Sequence, residues 1–305
     1  MLILRSSPAE AFPLALFIDN LGVANAIHYS MPSAKTDYQG FACRPSRLRS
    51  LWLLIWWGPP KMRHQRIGEI CCYLKLSLLG ALSPGMQLGI AWYLVPDVAR
   101  RSMGIQTGYL DLPDRWRDIE PVVFDTLADL VRSGQRSLPA LHQSGIISAV
   151  HATDLLDYER EHWPERFAYR TQWFNRVLAD LADCDLVFAD PEMGLIETGK
   201  PLRADHAMRM TAKEAQTLAQ GRTAIILHRN SLRLGGQDAE VDYWLSQFGA
   251  NAFAIRAKAY HAITFFMINP TPAIKIRAIE FCARWQDLNA YLQCAPPLPN
   301  KLAGQ

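Results

Sequence analysis

Polar and charged side chains stand directly after several apolar runs of this sequence, where a strand would deliver a functional group. Asp190 follows one such run and precedes Pro191, Glu192, Met193 and Gly194. A proline restricts the residue before it to extended backbone, so the Asp190 carboxylate is aimed in a fixed direction. A carboxylate held this way accepts from an amine or ligates a metal, although Asp-Pro also opens turns. His228, with Arg229 and Asn230, follows a second run. It has the chemistry of a base or ligand, while a lone histidine at a strand end also serves packing. Asp97 follows Val95 and Pro96 after a third run, a candidate partner for a ribose hydroxyl or a metal. Lys75 interrupts an otherwise apolar stretch, where it either snorkels to solvent or approaches an anionic ligand. Asn269 and Pro270 follow the last run. Ligands of doubly wound sheets bind beyond the carboxyl ends of the strands, so these groups are expected to gather at one sheet edge.

Those residues need elements to position them, and the chain supplies both periods. Residues 67–82 have helical apolar spacing, stopped by Ser83, Pro84 and Gly85. Residues 87–95 are a nearly continuous apolar run, as in a strand buried on both faces. Helices are expected over 120–132, with Pro121 in the first turn, and over 164–181. Residues 185–189 and 222–228 read as further strands. Between them Thr211 and Glu214 have the spacing of a capping box, opening a helix that ends before Gly221. Residues 236–248 are helical, 251–258 and 261–269 are strands close enough to pair as a hairpin, and 272–292 form a final helix. Alternation of strand and helix implies a mostly parallel α/β sheet. The closing hairpin suits a Rossmann-like sheet of the methyltransferase type.

Residues 1–61 show no sustained period and end in the apolar 51–57, followed by Gly58, Pro59 and Pro60. They read as an irregular extension ahead of a start at Met62, with a membrane- or partner-touching arm as the alternative. Residues 62–305 read as one α/β domain.

Composition narrows the function classes. The chain has 305 residues and a formal net charge of +3, too small by itself to argue for nucleic acid or a membrane surface. No apolar run approaches the roughly 20 residues that span a bilayer. The six cysteines, Cys43, Cys71, Cys72, Cys184, Cys282 and Cys294, form no C-x-x-C pair and read as reduced thiols of a cytoplasmic protein. The phosphate-binding G-x-G-x-x-G and G-x-x-x-x-G-K-[ST] loops are missing, as are H-E-x-x-H and G-x-S-x-G. This argues against an ordinary dinucleotide enzyme, a P-loop enzyme, a zincin and an α/β-hydrolase.

From residue 68 to about 269 the sequence resembles an uncharacterised bacterial α/β family. The resemblance rests on Gly68-Glu69-Ile70 with Lys75, on Trp92 through Asp97, on Gly108-Tyr109-Leu110, on residues 185–195, and on His228-Arg229-Asn230 with Gly235-Gly236. In layout it is more distantly similar to ribosomal RNA methyltransferases that modify an adenine amine. Asp190-Pro191 matches the first half of their acidic strand-end motif, whereas Glu192-Met193 lack its aromatic residue, which stacks on the flipped base. This second resemblance implies S-adenosylmethionine as donor and nucleic acid as a partner. It also implies Asp190 as the group that accepts from the substrate amine; under this reading His228, the second catalytic candidate, helps position the substrate. Asp97 and Lys75 are then expected on the cofactor side. Two other classes stay open. One is a hydrolase whose Asp97, Asp190 and Glu192 hold Mg or Mn, and the other is a Rossmann-like binding module without catalysis.

Overall fold

Strand-forming apolar runs, separated by helices with one or two buried stripes, give a three-layer α/β/α arrangement. The computed structural model describes residues 66–96, 106–158, 162–199, 203–231, 234–258 and 262–295, all within the unit Ile55–Gln305. The extension at 1–61 and the Met62 start lie outside the described residues. In chain order the elements are α1 (Ile70–Leu82), β1 (Leu88–Ala91), α2 (Pro113–Trp116), α3 (Pro121–Arg132), α4 (Leu138–Gln143), β2 (Val150–Ala152), α5 (Arg166–Asp180), β3 (Leu186–Ala189) and β4 (Leu195–Ile196). They continue with β5 (Met210–Thr211), α6 (Ala212–Leu218), β6 (Thr223–Arg229), α7 (Gln237–Phe248), β7 (Phe253–Lys258), β8 (Ala262–Ile268), α8 (Pro272–Arg284) and β9 (Tyr291–Cys294).

The main sheet has seven strands in the order β2-β1-β3-β6-β8-β7-β9, and β4 pairs with β5 in a separate two-stranded ladder. The pairs β1–β2, β1–β3 and β3–β6 are parallel. Those of β8 with β6 and β7, and of β7 with β9, are antiparallel. The sheet is therefore mixed: its parallel core and the antiparallel β7–β8 hairpin were expected, while the further antiparallel partner β9 was not.

Alternation along the strands decides which helices cover which face. Leu88, Ile90, Leu186, Phe188, Ile225 and Leu227 face a core built with α1, α3 and α8. Val187, Ala189, Ala224 and Ile226 face the other core, with α5, α6 and α7. At the centre of the first core Tyr73 of α1 stacks on Tyr109 and meets Phe124 edge-on. Its hydroxyl donates to the Trp116 carbonyl at 2.7 Å and accepts from the Glu120 amide at 3.0 Å.

The second core contains a charge. Arg170 of α5 is 3% exposed. It donates to Glu214 Oε1 at 2.6 Å and Oε2 at 2.8 Å, to the His206 and Arg209 carbonyls, and to the Tyr158 hydroxyl. Glu214 also accepts from the Thr211 amide at 2.9 Å, while Thr211 Oγ1 accepts from the Glu214 amide at 3.2 Å. The capping box at the start of α6 is thus also an ion-pair partner, and it ties α5 to α6.

Two regular elements differ from their sequence pattern. Of the apolar run 87–95 only 88–91 belong to β1. Beyond Ala91 the chain stays apolar because it is covered, with the Trp92 amide donating to the Ala152 carbonyl and the Leu156 amide to the Leu94 carbonyl. The final helix ends at Arg284; Asn289 then takes a left-handed φ of +50° and turns the chain into β9, the partner of β7. The strands at 150–152, 195–196 and 210–211 were not expected from sequence, being too short to show a period. Among the described residues no helix is long and apolar enough to cross a membrane. The five described cysteines are unbridged.

Removing the Arg170 guanidinium leaves a nearly buried carboxylate uncompensated, which typically costs about 3–5 kcal/mol. Arg170→Leu is expected to lower the urea-unfolding free energy by about that amount, and Arg170→Lys to recover only part of it, because an ammonium cannot reproduce the two-pronged contact.

Candidate functional site

The same alternation continues one residue past the strand ends and gathers charged and aromatic side chains over the α1 face. Trp92 follows β1 in phase with Leu88 and Ile90, Asp190 follows β3 in phase with Leu186 and Phe188, and Arg229 ends β6 in phase with Ile225 and Leu227. Because β2 and β3 flank β1 on opposite sides, the crevice between the ends of β1 and β3 is a topological switch point, the usual ligand position in such sheets.

Lys75 reaches this crevice from below. It is the one charged residue of the 13-residue α1, and its Nζ donates to Asp190 Oδ2 at 2.6 Å. Both side chains are largely buried, at 16% and 13% exposed. The ammonium also lies 5.9 Å from the centre of the Trp92 ring, within cation–π range. Burial pushes Lys75 toward the neutral form. The charge and hydrogen bond of Asp190, together with Cys72 and Cys71, outweigh it, so the net shift is upward and Lys75 stays an ammonium at neutral pH.

The loop that carries Asp190 is built tightly. The Asp190 amide donates to the Ala91 carbonyl at 3.0 Å, and the Gly194 amide closes a turn on Pro191 at 3.0 Å. Gly194 has a φ of +78°, and a β-carbon there would lie 2.4 Å from His228 Nδ1. Only glycine therefore fits between the loop and β6. The turn and the fixed carboxylate that Asp190-Pro191 suggested are both present, one after the other.

Around the pair opens a cleft of about 110 Å³. Trp92, Leu94, Leu227 and Ile263 form apolar walls, and Arg66, Glu192 and Arg229 stand at its rim. Ligand sites for drug-sized molecules hold roughly 300–1,000 Å³, so these walls take in one end of a ligand. Glu192 is paired with Arg66 at 2.7 Å. Glu69, beneath the rim, is 8% exposed. Burial raises its pKa, against the opposing charges of Arg66, Arg229, Arg136 and Lys75. Trp92 is fixed by its own hydrogen bond, Nε1 donating to His151 Nδ1 at 2.9 Å, and His142 packs on His151 with ring centres 3.6 Å apart.

Lys75 and Asp190, expected on cofactor and catalytic sides respectively, are brought into direct contact. His228 is not brought to them. It faces the opposite side of the sheet, 2% exposed, between Trp244 and Phe266. Its Nδ1 accepts from the Leu195 amide at 2.9 Å, which places its proton on Nε2, 3.3 Å from Glu240 Oε1. Burial raises the Glu240 carboxyl, but His228 and the hydrogen bonds from Ser231 lower it further, so it lies below its usual range. Asp97 lies outside the described residues. Arg66 was not singled out from sequence, and Trp92 and Arg229 were named only within longer motifs, without a role. For Trp92 and Arg229 the period-two phase of their strands was the available signal.

Among the described residues no three histidines, cysteines or acids converge as a metal site. No family model matches the chain, and no curated protein matches it either.

Two predictions follow from this geometry. Lys75→Met strands the Asp190 carboxylate and is expected to cost about 3 kcal/mol. Adding Asp190→Asn should return much of that loss, giving a coupling above about 1 kcal/mol in a double-mutant cycle of unfolding free energies. Second, desolvation and then the neighbouring His142 depress His151 from the ordinary 6.5 to about 4. Between those values the unfolded chain binds a proton that the folded chain does not, so stability falls as pH drops from about 6.5 to about 4. His151→Asn, which can still accept from Trp92, should flatten that part of a melting-temperature profile.

Proposed function

We propose that the chain is a Rossmann-like enzyme of the methyltransferase type, acting on an amine held in the cleft beyond β1 and β3. The observation that carries this reading is the Lys75–Asp190 pair at the switch point, largely buried in a cleft with apolar walls. Lys75 occupies one carboxylate oxygen and fixes the side chain. The other oxygen can then accept from a substrate N–H and orient the nitrogen lone pair into the cleft. The apolar walls limit water around that nitrogen. Proximity and orientation of this kind form a large part of catalysis where little proton transfer is needed. The reversed strand β8 beside β6 is a further feature expected of such a sheet.

S-adenosylmethionine fits these residues only in part. Trp92 and the apolar walls suit a planar ring, but the Lys75 ammonium already sits where the Asp190 carboxylate and Trp92 face would favour a cationic sulfonium. The donor end of the ligand is therefore not assigned to this pair. The hydrolase reading is disfavoured by the same contacts: Asp190 and Glu192 are each neutralised by a cation at 2.6 and 2.7 Å, which a divalent metal would have to displace.

A thermal-shift experiment on the full chain separates the readings. A donor present at 100 times its dissociation constant stabilises by about 2.7 kcal/mol. S-adenosylmethionine and its demethylated product are each expected to raise the melting temperature by several degrees. A rise with magnesium or manganese alone would transfer the assignment to the hydrolase, and no rise with either would leave a binding module.

A further inference from the structure

Among the described residues, the ion pairs that line the cleft leave one cation over. Lys75 is matched by Asp190 and Arg66 by Glu192. Arg229 is left over: among the described residues its guanidinium makes no hydrogen bond or ion pair, although it lines the cleft and is only partly exposed. Glu69 is within electrostatic reach of it but forms no contact pair with it. Its backbone is held firmly, because Arg229 is the last residue of β6 and is paired with Ile263 of β8. The fork is thus carried on a sheet strand between two apolar wall residues, Leu227 and Ile263.

An arginine so placed is a pre-positioned receptor for a planar or tetrahedral oxyanion, which it engages through two parallel N–H donors. We propose that Arg229 anchors a singly charged oxyanion of the ligand, a carboxylate or a phosphodiester, while the Lys75–Asp190 pair faces its uncharged polar end. One negative charge matches the one lining cation that is without an ion pair among the described residues. The inference rests on the cleft being the ligand site. It is independent of methyl transfer, so its test uses neither a methyl donor nor a turnover assay.

The test measures binding of benzoate and of methyl phenyl phosphate to the full chain by ligand-observed NMR at constant ionic strength, with neutral benzamide as the isosteric control. Both probes carry an aromatic ring for the apolar walls and one negative charge. At least one is expected to bind more tightly than benzamide. Arg229→Gln should weaken it by about tenfold or more, the usual range for a charged hydrogen-bonded contact. Arg229→Lys should lie between. The surface variant Arg132→Gln, at a side chain 70% exposed, should leave the affinity unchanged. Benzoate alone would assign a carboxylate, methyl phenyl phosphate alone a phosphodiester, and both the shared charge. Equal binding to wild type and Arg229→Gln, or no preference for the anions over benzamide, would overturn the proposal. Circular dichroism of each variant confirms that the comparison is between folded proteins.

Discussion

Two opposite charges paired between a helix and the end of a strand constrain this fold in a way that apolar contacts do not. Apolar packing tolerates sliding and substitution of similar shapes. A buried ion does not, since each charge left without its partner costs several kcal/mol. Lys75 and Asp190 are 115 residues apart, so their 2.6 Å contact fixes the height of α1 against the end of β3. Trp92 lies beside the ammonium, and its indole N–H donates to His151. That one pairing joins the crevice, its aromatic wall and the helix beneath it.

The two faces of the sheet handle charge differently. On the α5–α7 side, Arg170 with Glu214 and His228 with Glu240 are packed shut, their donors and acceptors turned toward backbone groups and aromatic rings. Those clusters join secondary elements to one another. On the α1 side the charged residues stand at strand ends and border open volume. The distinction comes from position along the strand. A polar group inside the layers must be satisfied by protein, whereas one just past the carboxyl end can be satisfied by something bound.

How much of this could be read from the residues alone depended on whether the signal was local. The helices at 121–132 and 166–180, the Thr211–Glu214 box and the hairpin of β7 and β8 all lie within a few residues of their sequence-based limits. Caps, breakers and periodicity act over short distances. The strand ends were harder: residues 92–95 are as apolar as β1 because they are covered, and apolarity cannot distinguish being covered from being paired. Likewise, β9 draws its pairing from β7, more than thirty residues earlier, so nothing nearby separates it from a helix tail. Asp190 and Lys75 were recognisable by type, but their contact was not, for it is set by the layer packing. His228 illustrates the opposite case. It was conspicuous as a residue type, yet its phase within 223–229 already placed it opposite Leu227 and Arg229.

The walls of the cleft come from stretches scattered from Arg66 to Ile263, contributed by α1, the segment after β1, the loop after β3, the end of β6 and the start of β8. No contiguous piece of the chain contains it. A chain without β8 lacks the Ile263 wall and the hydrogen-bonding neighbour of β6, so it has most of the residues without the cleft they form. The cleft therefore forms only once the strands from β1 to β8 have assembled. Anything that fills the cleft touches α1, the end of β6 and the start of β8 together, rather than any single hairpin or helix.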